Sequence, residues 1–246
     1  MSSAYQIPVL RKAIRVLHAI ADRSCEPTTN SLARALSIAP ATSYRIIQTF
    51  ATAKWLDLRE DGRCEIGLGL LPIVQGLKQH ELMRQEVASA LAELTRVTGV
   101  TSKVSISDGD EAVTLMRANS AEPMSLAVQP GSRFHLAFGS SGAVILSERD
   151  DAEVEKVLDT APESCWTYQS RADVRQRIAV SRKTGLAEDL GCFRPDVFGL
   201  SAPMRNREGK PIGTLTLTGL LHGRSEKQIQ SWRKLLLKTA ADLNRH

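Results

Sequence analysis

The chain has 246 residues, 42% hydrophobic and 24% charged, with a formal net charge of +5. That length suits two domains with buried cores. No apolar run approaches the ~18–20 residues of a membrane span. Arg11, Lys12 and Arg15 interrupt the first apolar stretch, so no signal-peptide core is expected and a cytoplasmic location is.

Cys25, Cys64, Cys165 and Cys192, and the five histidines, are scattered without C-x-x-C or H-E-x-x-H spacing. Free thiols are therefore expected, and no metal centre or other cofactor. A thiol hydrolase would need Cys192 beside His135 or His222, and nothing in their spacing favours it. Gly67-Leu68-Gly69 lacks the third glycine of a dinucleotide loop, and no G-x-S-x-G occurs. The chain reads as a non-enzyme with no catalytic residues, and Cys192 as a buried filler.

Residues 1–70 hold nine Lys and Arg against six acids, more than half of the net charge in under a third of the length. A basic front module ahead of a near-neutral remainder points to an anionic partner for the front.

Val9 to Asp22 reads as a helix with Leu10, Ala13, Ile14, Leu17, Ile20 and Ala21 in one apolar stripe. Thr29 or Asn30 is the expected cap of a second short helix, Ser31 to Leu36. After the turn Ser37-Ile38-Ala39, Pro40 starts a third helix that runs to about Lys54. At 100° per residue, Ser43, Ile46, Ile47 and Phe50 fall on one side. Ala41, Tyr44, Arg45, Gln48 and Thr52 fall on the other, with Thr42 and Thr49 at the edges. This outer face carries a guanidinium, an amide, hydroxyls and no acid. Such a face fits the DNA major groove, where Arg forks onto guanine O6/N7 and Gln onto adenine N6/N7. Two strand-like runs follow, Trp55–Arg59 and Arg63–Ile66, about Asp61-Gly62, a tight-hairpin signal. Helix, helix, turn, helix, hairpin is the order of a winged helix-turn-helix, and Arg59 and Arg63 then sit on the wing to meet phosphates.

Leu32-Ala33-Arg34-Ala35-Leu36, Thr42 through Phe50, Trp55-Leu56 and Asp61 through Gly67 together resemble the DNA-binding module of the isocitrate-lyase-regulator (IclR) family. Ser37 stands where that family has a turn glycine, Pro40 where lysine is frequent, and Ser43-Tyr44 where Val-His is usual. The resemblance implies DNA contacts from Ala41, Thr42, Tyr44, Arg45, Gln48, Thr49, Arg59 and Arg63.

Leu70 to Gly99 is helix-rich, broken near Pro72 and Gly76. Thr101–Ser107 and Glu111–Ala118 alternate as strands about Asp108-Gly109-Asp110, and Met124–Val128 reads as a third. Helices are expected over Ser140–Leu146, Asp151–Asp159, Asp173–Thr184 and Ser225–Leu243, and strands over Leu186–Asp189, Leu200–Met204 and Gly213–Thr218. Strands interleaved with helices and hairpins make an α+β domain. Expected boundaries are 1–70, a linker helix at 71–84, and 85–246.

Phe134 through Val144, Gly185 through Pro203 and Thr214 through Gly219 resemble the family's ligand-sensing domain, a GAF-like fold with an antiparallel sheet flanked by helices. That resemblance implies an effector pocket made by Phe134, Ser140, Ser141, Asp189, Val197, Gly199, Thr216 and Thr218. A helix start near Ser140 suits a carboxylate, so a small organic acid, aromatic or not, is the expected effector. Leu190-Gly191-Cys192 replaces acids usual in the family, and Gly199 a frequent cysteine. The resemblance further implies a ligand-responsive regulator of a catabolic operon, acting on a double-stranded DNA operator as a homodimer or dimer of dimers. A sensing protein working through protein partners is the alternative, and the basic helix face argues against it.

Overall fold

A computed structural model describes residues 7–75, 81–122, 126, 128–206 and 208–244. The chain forms two compact units, Met1–Glu81 and Leu82–His246.

The first unit has three helices and a hairpin: α1 (Pro8–Ala21), α2 (Thr29–Ala35), α3 (Pro40–Thr52), β1 (Leu56–Leu58) and β2 (Cys64–Ile66). Pro8 and Pro40 open their helices, where a missing N–H costs little. Thr28, one residue earlier than expected, caps α2; its Oγ1 accepts from the Ser31 N–H at 3.3 Å. Ser37 holds φ +53 in the turn before α3. A left-handed backbone at a non-glycine residue costs ~1–2 kcal/mol, so the departure from glycine there carries strain. β1 and β2 pair antiparallel, with Gly62 at φ +78 in the turn. The hairpin docks through the Cys64 N–H, which donates to the Pro27 carbonyl at 2.7 Å.

The expected α1 stripe is corrected in part: Ile20 is buried and Ala13 and Leu17 pack against the same core, but Leu10, Ile14 and Ala21 are exposed. α1 buries Val16, Ala19 and Ile20 against Leu32, Ile38, Ile46, Ile47 and Leu56. Leu10 and Ile14 remain 55% and 56% exposed. α1 is apolar on more than one side, and period alone does not say which sector faces α2 and α3.

A short α4 (Leu71–Gln75) closes the first unit, and α5 (Glu81–Thr98) leads into the second; the expected break at Gly76 lies outside the described residues. The second unit adds β3 (Thr101–Asp108), β4 (Glu111–Ala118), β5 (Arg133–His135), α6 (Gly139–Ser147), α7 (Asp151–Asp159), α8 (Arg171–Thr184), β6 (Ala187–Leu190), β7 (Val197–Arg205), β8 (Pro211–Leu220) and α9 (Glu226–Leu243). The six strands make one antiparallel sheet in the order β5-β4-β3-β8-β7-β6. An α+β architecture was expected, and this is one.

The expected third strand is also corrected. Met124, Ser125 and Ala127 lie outside the described residues, and Leu126 and Val128 are in no strand. The edge strand beside β4 is β5, which pairs Phe134 with Ala112. Gly131, at φ +84, turns the chain so that β5 meets β4.

One sheet face is apolar. Val104, Leu200, Ala202, Leu215 and Leu217 pack beneath Val87, Leu91 and Leu94 of α5 and Ile229, Trp232, Leu236 and Ala240 of α9. A second apolar cluster joins α6, α7 and α8 to Leu136, Ala112 and Ala187. Among the described residues no helix is long and apolar enough to cross a membrane.

Candidate functional sites

The first site is the outer face of α3. Ile46 and Ile47 anchor the helix, and buried Ser43 donates its hydroxyl to the Thr29 carbonyl at 3.2 Å. This rotation leaves Ala41, Tyr44, Arg45 and Thr49 exposed and Thr42 and Gln48 half-buried. Thr49 Oγ1 donates back to the Arg45 carbonyl at 2.7 Å, so this hydroxyl offers outward partners only its lone pairs. Arg45 has no hydrogen-bond or ion-pair partner among the described residues. Its guanidinium fork is free.

The hairpin arginines differ from that picture. Arg59 Nε donates to Glu65 Oε2 at 2.9 Å, and its NH2 to the same oxygen. This exposed pairing raises the Arg59 pKa further. Arg63 holds two looser pairs, to Glu26 and Asp61, both at 3.6 Å. Asp57, Glu60, Asp61 and Glu65 outnumber the two arginines on the hairpin. Each of the two wing cations faces an acid across the ladder or turn, a pairing that residue order alone does not show.

The second site is a buried polar layer between the sheet and α6. Residues directly opposite on antiparallel strands share a face, and the registers form three polar rungs. One holds Asp189, Gly199, Thr218 and Thr101. The next holds Ser201, Thr216, Lys103 and Arg117. The third holds Thr214, Ser105 and Thr114. Apart from half-buried Gly199 and Arg117, every one of these is buried. A sheet face covered by a helix is ordinarily apolar; one lined with hydroxyls has to find each a partner.

α6 supplies several. Ser140 Oγ lies 2.8 Å from Ser201 Oγ, Ser141 Oγ 2.8 Å from Thr216 Oγ1, and Ser201 Oγ 2.8 Å from Thr216 Oγ1. Gly199 permits the approach, because a Cβ there would stand 2.6 Å from Ser140 Oγ. Thr218 Oγ1 donates to the Phe198 carbonyl at 2.8 Å. Ser105 Oγ and Thr214 Oγ1 have no hydrogen-bond partner among the described residues. Removing one member of the closed hydroxyl cluster strands the others: Ser201→Ala is expected to cost ~1–3 kcal/mol in urea unfolding, and an unchanged midpoint would contradict the cluster.

Asp189 is held in the fold through one oxygen, while its Oδ2 has no hydrogen-bond partner among the described residues. Its Oδ1 accepts from the backbone N–H of Cys192 and Phe193 at 2.9 and 3.1 Å, and its Oδ2 lies 3.3 Å from Arg177. That oxygen stands 3.9 Å from where a Gly139 Cβ would be, beside the first turn of α6. The protein's own carboxylate thus stands near the helix start at which an effector carboxylate was expected. Val197 continues the first-rung face one step on, half-buried and opposite Leu220. Phe134 is half-buried, its ring 4.2 Å from Lys103 Nζ.

Cys192 is exposed, which corrects the filler expectation. Its backbone N–H donates to Asp189. His135 contacts the Ala137 N–H and Thr160 instead of any cysteine. Lys103, Ser105, Ser201 and Arg177 were missed from the sequence. For Lys103 a signal existed, a lone charge amid Thr101–Ser107.

Residues 75–245 match the family model described as bacterial transcriptional regulator IclR C-terminal. The HTH-type transcriptional regulator XynR of Escherichia coli is 21% identical over 243 residues, covering 97% of this chain and 96% of that protein. BhcR of Paracoccus denitrificans, also an HTH-type transcriptional regulator, is 21% identical over 97% of this chain and 86% of its own. Among solved structures, Thermotoga maritima IclR aligns with a TM-score of 0.76 at 18% identity over 98% of both chains. An IclR homolog from Microbacterium hydrocarbonoxydans, complexed with 4-hydroxybenzoate, aligns at 0.79 and 18% identity over 96% of this chain and 97% of that one.

Proposed function

Because this chain belongs to the IclR family of bacterial transcriptional regulators, we propose that it binds a double-stranded DNA operator and responds to a small organic acid held between its sheet and α6. The first unit acts as a winged helix-turn-helix, with α3 in the major groove and the β1–β2 hairpin against the backbone. The observation that carries this reading is the acid-free outer face of α3 with its unpaired Arg45.

The polar layer, with its unpartnered Ser105 and Thr214 hydroxyls, supports the effector half of the reading. So does the 4-hydroxybenzoate in the Microbacterium homolog. The chain works in the cytoplasm as a homodimer or dimer of dimers on a catabolic operon near its own gene. A second copy is supported by exposed Leu10 and Ile14 on α1, with Ile7 just before it, and by the need of one recognition helix for a second half-site.

A mobility-shift assay with DNA from upstream of the neighbouring operon tests this reading. Retardation that survives excess unrelated DNA and changes with an added carboxylic acid is expected. Equal binding to unrelated DNA overturns the DNA half, and no response to any acid overturns the effector half.

Arg63 exchanges its two long ion pairs for a phosphate on binding, whereas Arg59 stays with Glu65. Arg63→Ala is expected to weaken all sequences about equally and to lower the salt slope by about one. A loss confined to the specific operator would assign Arg63 to a base instead.

A further inference from the structure

The second rung of the polar layer holds two positive charges that no acid answers. Lys103 is 8% exposed, and its Nζ lies 4.2 Å from the Phe134 ring centroid. Among the described residues its ammonium has neither a carboxylate nor a hydrogen-bond acceptor. Directly opposite on β4 stands half-buried Arg117. Its guanidinium donates to the Val128 carbonyl and has no acid partner among the described residues either.

Like charges facing each other across a ladder repel, and a buried cation without a counter-charge is costly. Nearby groups do not relieve this. Asp189, on β6 at the far edge of the sheet, is paired with Arg177. Thr216, the other neighbour of Lys103 on its rung, is engaged by Ser141 and Ser201. One rung away, the Ser105 and Thr214 hydroxyls have no partner among the described residues. The layer therefore combines two cations without an acid partner, two spare hydroxyls and an aromatic wall, and its one carboxylate, Asp189, lies beside Arg177.

Resting on the reading of this layer as an effector site, we propose that Lys103, with Arg117 beside it, anchors the effector's carboxylate, and that Phe134 walls the organic body attached to it. The anchor lies on β3 and β4, away from the start of α6, where Asp189 already stands.

Burial pushes Lys103 down to about 8 from 10.5. The charged groups sharing its layer are Arg117 on β4 and the closed Arg177–Asp189 pair; α6 and β8 face it with hydroxyls alone. A carboxylate selects the protonated amine. Affinity for an acid is therefore constant from the range where its carboxyl is ionised up to that pH and falls above it, by up to about tenfold per pH unit.

The test is titration calorimetry on the full chain with acetate, pyruvate, benzoate and 4-hydroxybenzoate, each against its amide, on the parent, Lys103→Met and Lys103→Arg. The expected result is that at least one acid binds the parent, its amide does not, and Lys103→Met weakens the acid by at least about tenfold. Lys103→Arg recovers part of the loss. Binding of the acid to Lys103→Met within about twofold of the parent, or of the amide as tightly as the acid, overturns the anchor and leaves the effector reading standing. If no acid binds the parent, the organic-acid reading fails and the anchor with it. The pH profile of the unaltered protein needs no variant to fold: weakening above about 8 supports the anchor, and a flat profile overturns it.

Discussion

Arg45→Ala is expected to weaken specific operator binding at least ~30-fold in a shift assay. A bidentate Arg–guanine contact contributes ~1–3 kcal/mol, and a paired site loses two such contacts, so the lower bound is about 2 kcal/mol. Folding should be untouched, because the side chain is exposed and unpaired among the described residues. Arg45→Lys separates the two ways an arginine acts on DNA. It keeps the charge and loses the planar fork, so it should retain nonspecific binding and relax sequence preference. Unchanged affinity and preference in Arg45→Ala would remove α3 from the groove.

Gly142→Ala is expected to destabilise the second unit by about 3–5 kcal/mol, a large share of a domain's stability. A Cβ at Gly142 would stand 2.0 Å from the Leu136 carbonyl oxygen and 2.7 Å from its carbon. These are backbone atoms and have no rotamer to escape into. Either α6 moves off the turn after β5, or the turn breaks. Either movement also shifts Ser140 and Ser141 away from Ser201 and Thr216, whose hydroxyls meet theirs at 2.8 Å. Thermal unfolding and hydrogen exchange of α6 would both report the change. A melting temperature within a degree or two of the parent would mean that α6 does not pack this closely.

Burial of Lys103 has its own signature in stability. Its folded pKa of about 8 lies below the ordinary 10.5, so between those values the unfolded chain binds more protons than the folded one. This group's contribution to stability therefore rises with pH across that window. Below it, the buried charge is an unrelieved cost. A carboxylate ligand would remove the cost by supplying the counter-charge, which places stability and effector binding on one residue.

The features read most directly from the sequence depend on neighbours a few residues apart. Ser43, Ile46 and Ile47 turn inward and Tyr44 and Arg45 outward because a helix repeats every 3.6 residues. Asp61-Gly62 turns the hairpin because glycine accepts φ +78. The stripe on α9, Ile229, Trp232, Leu236 and Ala240, is buried as its spacing requires. Where two apolar sectors competed, as on α1, periodicity selected Leu10 and Ile14, and packing against α2 and α3 selected Val16 and Ala19. Thr216 and Ser141 were reached through a family likeness. Lys103 and Ser201, on the same rung or bonded to it, were not, because alternation along a strand marks two faces without saying which one a helix will cover.

The sequence by itself determined the kind of protein: a basic module built on local helix and turn signals, joined to a larger α+β unit, with an α3 face free of acids. Only the tertiary structure decided where the second unit's charges stand. β3 lies beside β8 although more than a hundred residues separate them, and that pairing sets Lys103 against Thr216, which meets Ser141 of α6. Asp189 is drawn to Arg177 and Lys103 is left beside Arg117 for the same reason. A buried charge is governed by the groups within a few ångströms of it, and those groups come from distant parts of the chain.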